Sequence, residues 1–317
     1  MAFFDSVESL PSTDNYFSDT DSISDVDSIT EAEDRITSRY CSRRFKVWQR
    51  GKEKEQIKGY ADWLREEREL SGEDYGKLRS FMRSVYKKEV ALIAIDFEAW
   101  EKDTELVTEI GISIYDPMKQ KGALIPFIQS SHIIIKENEK RKNGKYVPNH
   151  TANFNGGRSL VMSLAEAAKG INDIIASNNL PNKSHGAGVC LVGHGMSQDL
   201  KWLKDMGVDV GCAGIIDTQE VLSYTHDKKV SSLKKALRLV RQPCAFLHNA
   251  GNDAYYTMLL CLCLADPFYR LTAEIDDRKT MKNFKAAGSE PKEHHNISKK
   301  VIGSVQRLKQ YLKRQPL

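Results

Sequence analysis

No lysine or arginine precedes Arg35, whereas Asp5, Glu8, Asp14, Asp19, Asp21, Asp25, Asp27, Glu31, Glu33 and Asp34 all fall in that stretch. The net charge of +4 therefore hides ten N-terminal acids and a remainder of about +14. Such a surplus suits a polyanionic partner, and it equally suits an ordinary solvated surface. No segment has the apolar length of a membrane span, so no membrane partner is expected. The start, Met1-Ala2-Phe3-Phe4-Asp5, lacks the basic residues and long apolar run of a signal peptide. The 6 cysteines include no zinc-type C-x-x-C pair. Most stand among apolar neighbours, which reads as reduced core thiols of an intracellular protein of cytoplasm or nucleus. There is no internal repeat. A membrane-spanning helix, a secretory leader and a zinc ribbon are thereby excluded as expectations.

What is present divides the chain into four parts. Residues 1–36 are rich in Ser, Asp and Thr, bury too little to offset ordering entropy, and read as an acidic disordered region open to ribonucleoprotein partners. Residues 37–88 read as a basic helical arm. Ser71-Gly72-Glu73-Asp74 fits a capping box, and Tyr75, Leu78, Met82 and Val85 follow at helical spacing. Helices packed on the main domain and an RNA-binding arm are both open readings of this part. Residues 89–270 alternate strands and helices, which predicts a mixed α/β sheet with helices on its faces. Strands are expected at 90–98, 106–115, 132–136, 189–192 and 214–217, and helices at 159–176, 198–206, 231–240 and 254–265. The polar stretch 137–158 reads as a long loop, a kind that is usually functional or disordered. Residues 271–317 form a basic tail with an amphipathic helix expected at 302–312.

The apolar run Val90–Ile95 ends in Asp96-Phe97-Glu98. On a strand, Asp96 and Glu98 leave the same face. Two adjacent carboxylates at the end of a buried strand repel each other, and a divalent cation such as Mg²⁺ or Mn²⁺ removes that penalty. The pair can also mark no more than a strand reaching water. Two further segments bear on the choice. Asp199 opens the helix after the strand that ends at His194, and Asp253 lies at the start of the apolar helix in His248-Asn249-Ala250-Gly251-Asn252-Asp253-Ala254. Seen singly, each acid can be a first-turn residue that favours the helix dipole, and His248 a core or capping histidine. Four carboxylates meeting at strand ends are sufficient for two divalent cations, the set used in phosphodiester hydrolysis, and a nearby histidine can serve as general base.

These residues carry a family resemblance. Asp96-Phe97-Glu98 resembles the first motif, D-x-E, of the DEDDh (DnaQ-like) 3′–5′ exonucleases of the ribonuclease-H-like fold. Thr108-Glu109-Ile110-Gly111 is similar to that family's second strand. His194-Gly195-Met196-Ser197-Gln198-Asp199 resembles the second motif, with Gly195 and Gln198 in place of the usual Asn and Phe. His248 to Ala254 matches the third, H-x-A-x-x-D-A, at every defined position. Tyr146-Val147-Pro148, Phe154 and Asp217-Thr218-Gln219 look like the family's fungal branch, which includes a yeast protein associated with messenger-RNA export. The resemblance implies a ribonuclease-H-like mixed sheet over residues 89–270. It also implies two ions, Mg²⁺ or Mn²⁺, on Asp96, Glu98, Asp199 and Asp253, with His248 as general base. The implied substrate is single-stranded nucleic acid, RNA favoured over DNA. Ala99, Trp100 and His194 are the expected substrate contacts; Trp100 can stack on a terminal base or pack at the strand end. The alternative is an adaptor of RNA export or ribonucleoprotein assembly that binds nucleic acid without turnover.

Overall fold

Ten residues from Ala91 to Trp100 form β1, the strand the molecule is built on. The structure, a computed structural model, describes residues 60–62, 64–65, 70–86, 88, 90–120, 127–178, 188–211, 213–226 and 232–276. The acidic region, most of the basic arm and nearly all of the tail, with its expected helix at 302–312, lie outside the described residues. All elements named below belong to the compact unit that ends at Ile275.

β1 pairs antiparallel with β2 (Asp103–Tyr115), and β2 pairs antiparallel with β3 (Gln129–Ile135). On the other side, β1 runs parallel to β5 (Val189–Gly193), which runs parallel to β6 (Gly214–Asp217). A three-residue strand, β4 (Leu160–Met162), closes the far edge beside β3. The order β4-β3-β2-β1-β5-β6 is the mixed, helix-flanked sheet of a ribonuclease-H-like fold.

Alternation along β1 decides which helix lies where. Ile93, Ile95 and Phe97 join Ile110 and Ile112 of β2 in a core filled by Ala167, Ile171 and Ile175 of α2 (Leu164–Asn178) and by Leu203 of α3 (Ser197–Asp205). The opposite face, carrying Leu92, Ala94, Asp96 and Glu98, is left to α6 (Ala250–Ala265), which packs on β1, β2, β3 and β5. α6 is buried nearly all round because α1 (Gly72–Tyr86), α4 (Thr218–Ser223), α5 (Leu233–Leu239) and α7 (Pro267–Thr272) cover its outer side. Half of the capping box expected at α1 is shown: Asp74 N–H donates to Ser71 Oγ at 3.0 Å, while the Asp74 carboxylate accepts the Ser71 hydroxyl at 2.8 Å. Leu78, Phe81, Met82 and Val85 supply the buried face of α1.

Two expectations need correction. The helix anticipated from Ser159 begins at Leu164, since residues 160–162 pair with Ile133, Ile134 and Ile135 as a strand. α6 begins at Ala250 and not at Ala254, because Asn249 caps it by accepting the Asn252 N–H.

One close approach fixes the start of α6 against the sheet. A Cβ at Gly111 would stand 1.8 Å from the Ala250 carbonyl oxygen, so only glycine lets the helix end sit on β2. Gly111→Ala is expected to destabilise by about 1–3 kcal/mol or more. Thermal unfolding should then show a drop of roughly 2–4 °C per kcal/mol.

Candidate active site

Asp96 and Glu98 leave β1 on the face turned to α6, directly opposite Gly111 and Glu109 of β2. Beyond Glu98 the register slips by a bulge, so the strand bends as it leaves the sheet. Asp253 comes from the first turn of α6. His248, just before the cap, has φ 67, a left-handed conformation that histidine tolerates better than most side chains. That turn points the His248 N–H at Asp253 Oδ2, 2.9 Å away, and places Nδ1 3.5 Å from Glu98 Oε1. Ligand atoms of Glu98, His248 and Asp253 all lie within 4.8 Å of one another. Asp253 Oδ1 is buried and has no hydrogen-bond partner. A buried carboxylate oxygen without a donor is costly unless a cation or water meets it, so this donor set fits a divalent cation.

Asp199 arrives from the first turn of α3, near enough to β1 for the Phe97 N–H to lower its carboxyl and for the Glu98 charge to raise it. Burial raises the Asp96 carboxyl well above the usual range, and the charges of Asp253, Asp199 and Glu98 push the same way. Burial also lifts Asp199 to about 7, against the hydrogen bonds from its own N–H and that of Phe97. Asp253 is lifted to about 7 by burial, with the His248 N–H opposing. His248 is raised chiefly by its contact with Glu98. Asp96, Asp199 and Asp253 therefore titrate as a cluster that needs positive charge.

The three expected substrate contacts lie in different settings. The Ala99 carbonyl accepts from Asn143 Nδ2 at 2.9 Å, and Trp100 stands half-buried at the strand end. His194 Nδ1 lies 2.8 Å from Thr218 Oγ1, which in turn donates to the Gly193 carbonyl.

Asp217, the N-cap of α4, supports the second motif. Its carboxylate accepts the N–H groups of Gly195 and Met196 at 2.9 and 3.1 Å and of Gln219 at 2.8 Å. Gly195, which departs from the family's usual Asn, has φ +87, and a Cβ there would come within 2.9 Å of Gln219 Nε2. Glycine thus answers a tight turn braced by Asp217 and Gln219.

Other supporting residues carried no signal in the sequence as acids or amides of a site. Glu109 is buried, bonds His132 Nε2 at 2.8 Å, accepts from the Thr151 hydroxyl, and meets the Ala250 N–H at 3.4 Å. His132 Nδ1 in turn meets Ser159 Oγ at 2.8 Å. Asn249 Nδ2 donates to the carbonyls of His150 and Thr151, and Asn252 bridges Asn153, Asn155 and Phe246. The spacing inside His248–Ala254 offered a trace of this, since its two asparagines are three residues apart and share one helical face.

Residues 91–264 match the family described as DNA polymerase III subunit epsilon-like, C-terminal domain (DEDDh_C). The chain is 37% identical over 254 residues to an uncharacterised protein of Saccharomyces cerevisiae, YDR514C, covering 71% of this chain and 52% of that one. It is 32% identical over 239 residues to the "Good for full DBP5 activity protein 2" of the same yeast, covering 68% of this chain and 42% of that protein. A nucleolar protein of Schizosaccharomyces pombe is 31% identical over 174 residues, with 52% of this chain and 65% of that one aligned. The chain thus spans about half the length of the curated relatives it matches. A solved structure of exonuclease I superposes with TM-score 0.38 and 14% identity, over 58% of this chain and 43% of that one.

Proposed function

Because the chain belongs to the DEDDh family of DNA polymerase III subunit epsilon-like proteins, we propose that it is a metal-dependent 3′–5′ exonuclease. It releases nucleoside 5′-monophosphates from nucleic-acid 3′ ends and favours RNA. The observation that carries this reading is the meeting of ligand atoms of Glu98, His248 and Asp253 within 4.8 Å, with Asp253 Oδ1 buried and unpartnered and the charges of Asp253, Asp199 and Glu98 all acting on Asp96. Two divalent cations, Mg²⁺ or Mn²⁺, held by Asp96, Glu98, Asp199 and Asp253, would supply the positive charge that offsets the attacking and leaving oxygens of the phosphodiester. His248 takes the proton of the attacking water. Its Nδ1 faces Glu98, so Nε2 is the atom that accepts. Trp100 stacks on the terminal base beside Ala99. His194 enters through Thr218 as the residue that holds the turn presenting Asp199.

The preference for RNA rests on the relatives, one of which is a nucleolar protein. The name of the nucleolar relative supports an intracellular place for this chain. Among the described residues no helix is long and apolar enough to cross a membrane. On this reading residues 89–270 serve as the exonuclease domain, the acidic residues 1–36 meet ribonucleoprotein partners, and the basic residues 37–88 and 271–317 flank the domain. A relative named for supporting DBP5 activity favours a second reading, in which the chain binds nucleic acid and assists another protein without turnover.

End-labelled single-stranded RNA and DNA, incubated with Mg²⁺, Mn²⁺ or EDTA, separate the two. The exonuclease shortens 5′-labelled RNA stepwise with either cation and leaves it intact in EDTA. RNA and DNA that both stay intact in all three conditions rule out the enzyme and leave the adaptor; intact RNA with shortened DNA removes only the preference for RNA.

The charged cluster also sets a pH dependence of stability. Asp199 and Asp253 have folded-state values of about 7, above the ordinary 3.8, so folding takes up protons between those limits. In EDTA the stabilising uptake is present at low pH and lost as pH rises toward 7, so the melting temperature should fall from about pH 5 to about pH 8. Cations compete with those protons, so Mg²⁺ or Mn²⁺ should raise the melting temperature more at the higher pH.

A further inference from the structure

The loop that follows β3 is exposed over most of its length, yet it is tied down at one place by an unusual number of polar contacts. Asn143 accepts the Glu101 N–H at 2.8 Å and donates to the Ala99 carbonyl at 2.9 Å. The Glu101 carboxylate accepts four successive N–H groups, from Gly144, Lys145, Tyr146 and Val147, at 2.8–3.3 Å. Consecutive N–H groups form a concavity for an anion, and here the protein's own glutamate occupies it. The four donors, led by Tyr146, hold the Glu101 carboxyl down to about 2, so it stays charged at any working pH. A loop that only connects two strands needs no such clamp.

The clamp fixes a row of cations and aromatic rings. Residues 138–147 contain four basic side chains, Lys140, Arg141, Lys142 and Lys145, against one acid, Glu139. The Arg141 guanidinium lies over the Trp100 ring at 5.2 Å, with Lys102 over the same ring at 5.5 Å. Lys145 lies over Tyr146 at 4.8 Å, and Tyr146 is 70% exposed. Interleaved cations and rings are what a single strand needs, phosphates meeting the former and bases stacking on the latter. The row starts two residues past Glu98, about 7 Å along an extended strand, so it adjoins the carboxylate cluster.

We propose that residues 138–147, clamped to the end of β1 by Glu101 and Asn143, are the docking surface for the single-stranded nucleic acid that leads to the 3′ end. The proposal rests on the reading above that the chain acts on nucleic acid, and extends it beyond the terminal nucleotide. Binding of a 5′-fluorescent oligouridylate to the full chain in EDTA, followed by anisotropy across a salt series, tests it without any turnover. The Lys140→Ala, Arg141→Ala, Lys142→Ala triple variant removes three exposed cations and, with Arg141, its contacts to the Trp100 ring and to Asn138 Oδ1. It should lower the slope of log affinity against log salt by about 2, at ~0.7 for each phosphate no longer neutralised. Glu101→Ala removes a negative charge, so on charge alone it would strengthen binding; loss of the clamp predicts weaker binding instead.

An unchanged slope in the triple variant overturns the proposal, as does tighter binding by Glu101→Ala. Inorganic polyphosphate that binds as tightly as the oligouridylate overturns the assignment to nucleic acid. A chain that binds as described but never hydrolyses leaves this surface standing and removes only the exonuclease reading. A chain that hydrolyses with an unaltered slope does the reverse.

Discussion

Asp96→Asn is expected to reduce metal-dependent hydrolysis by about 10³-fold or more, the largest loss of any single change in the site. Asp96 is the residue on which the other charges converge: Asp253, Asp199 and Glu98 all act on it, and Glu109 adds to them from β2. Asparagine keeps the shape and removes the charge, so the loss reports lost cation affinity and not a collapsed strand. A second readout guards that conclusion. Burial already disfavours the charged form of Asp96, so in EDTA the variant should melt at or above the wild-type temperature. In Mg²⁺ or Mn²⁺ the order should reverse, since only the wild type gains from the ion. A variant that melts lower than wild type in EDTA would assign Asp96 a structural role and remove it from the centre of the site.

β1 was legible because a short, unbroken run of β-branched and aliphatic residues suits a strand buried on both faces. The faces of β1 were legible as well, since alternation puts Asp96 and Glu98 together whatever the sheet order. β4 was not: three residues carry almost no periodicity, and Leu160, Val161 and Leu164 merge with the helix that follows. The start of α6 was marked by Asn249, but a reading led by the apolar stretch from Ala254 passes over a polar first turn. Glu109 and His132 are 23 residues apart, and nothing local pairs them; only the β2–β3 register, which seats Gly111 beside His132, brings them together. The Glu101 clamp was equally hidden, because its partners are backbone N–H groups that no side-chain pattern reveals. Patterns within one element survive in the sequence, and contacts across a loop closure do not.

His248→Ala should slow hydrolysis by ~10²–10⁴-fold, the usual contribution of a general base. The geometry offers two roles for this side chain, and the variant separates them. As a base, His248 needs its ring held by Glu98 with Nε2 open, and about half of the side chain is exposed, which leaves it access to a water. As a cation ligand, it would share an ion with Glu98 and Asp253. Loss of a base lowers turnover and leaves metal affinity, measured by calorimetry, nearly unchanged; loss of a ligand lowers both. The pH profile gives a further test. Contact with Glu98 lifts His248 above its ordinary 6.5, and a base must be neutral to accept a proton, so the wild-type rate should rise with pH through that raised value. His248→Ala should lose this limb, and added imidazole should restore part of the rate. Equal metal-dependent rates for wild type, His248→Ala and Asp96→Asn from matched preparations would trace the activity to a contaminating nuclease and leave nucleic-acid binding as the function of the chain.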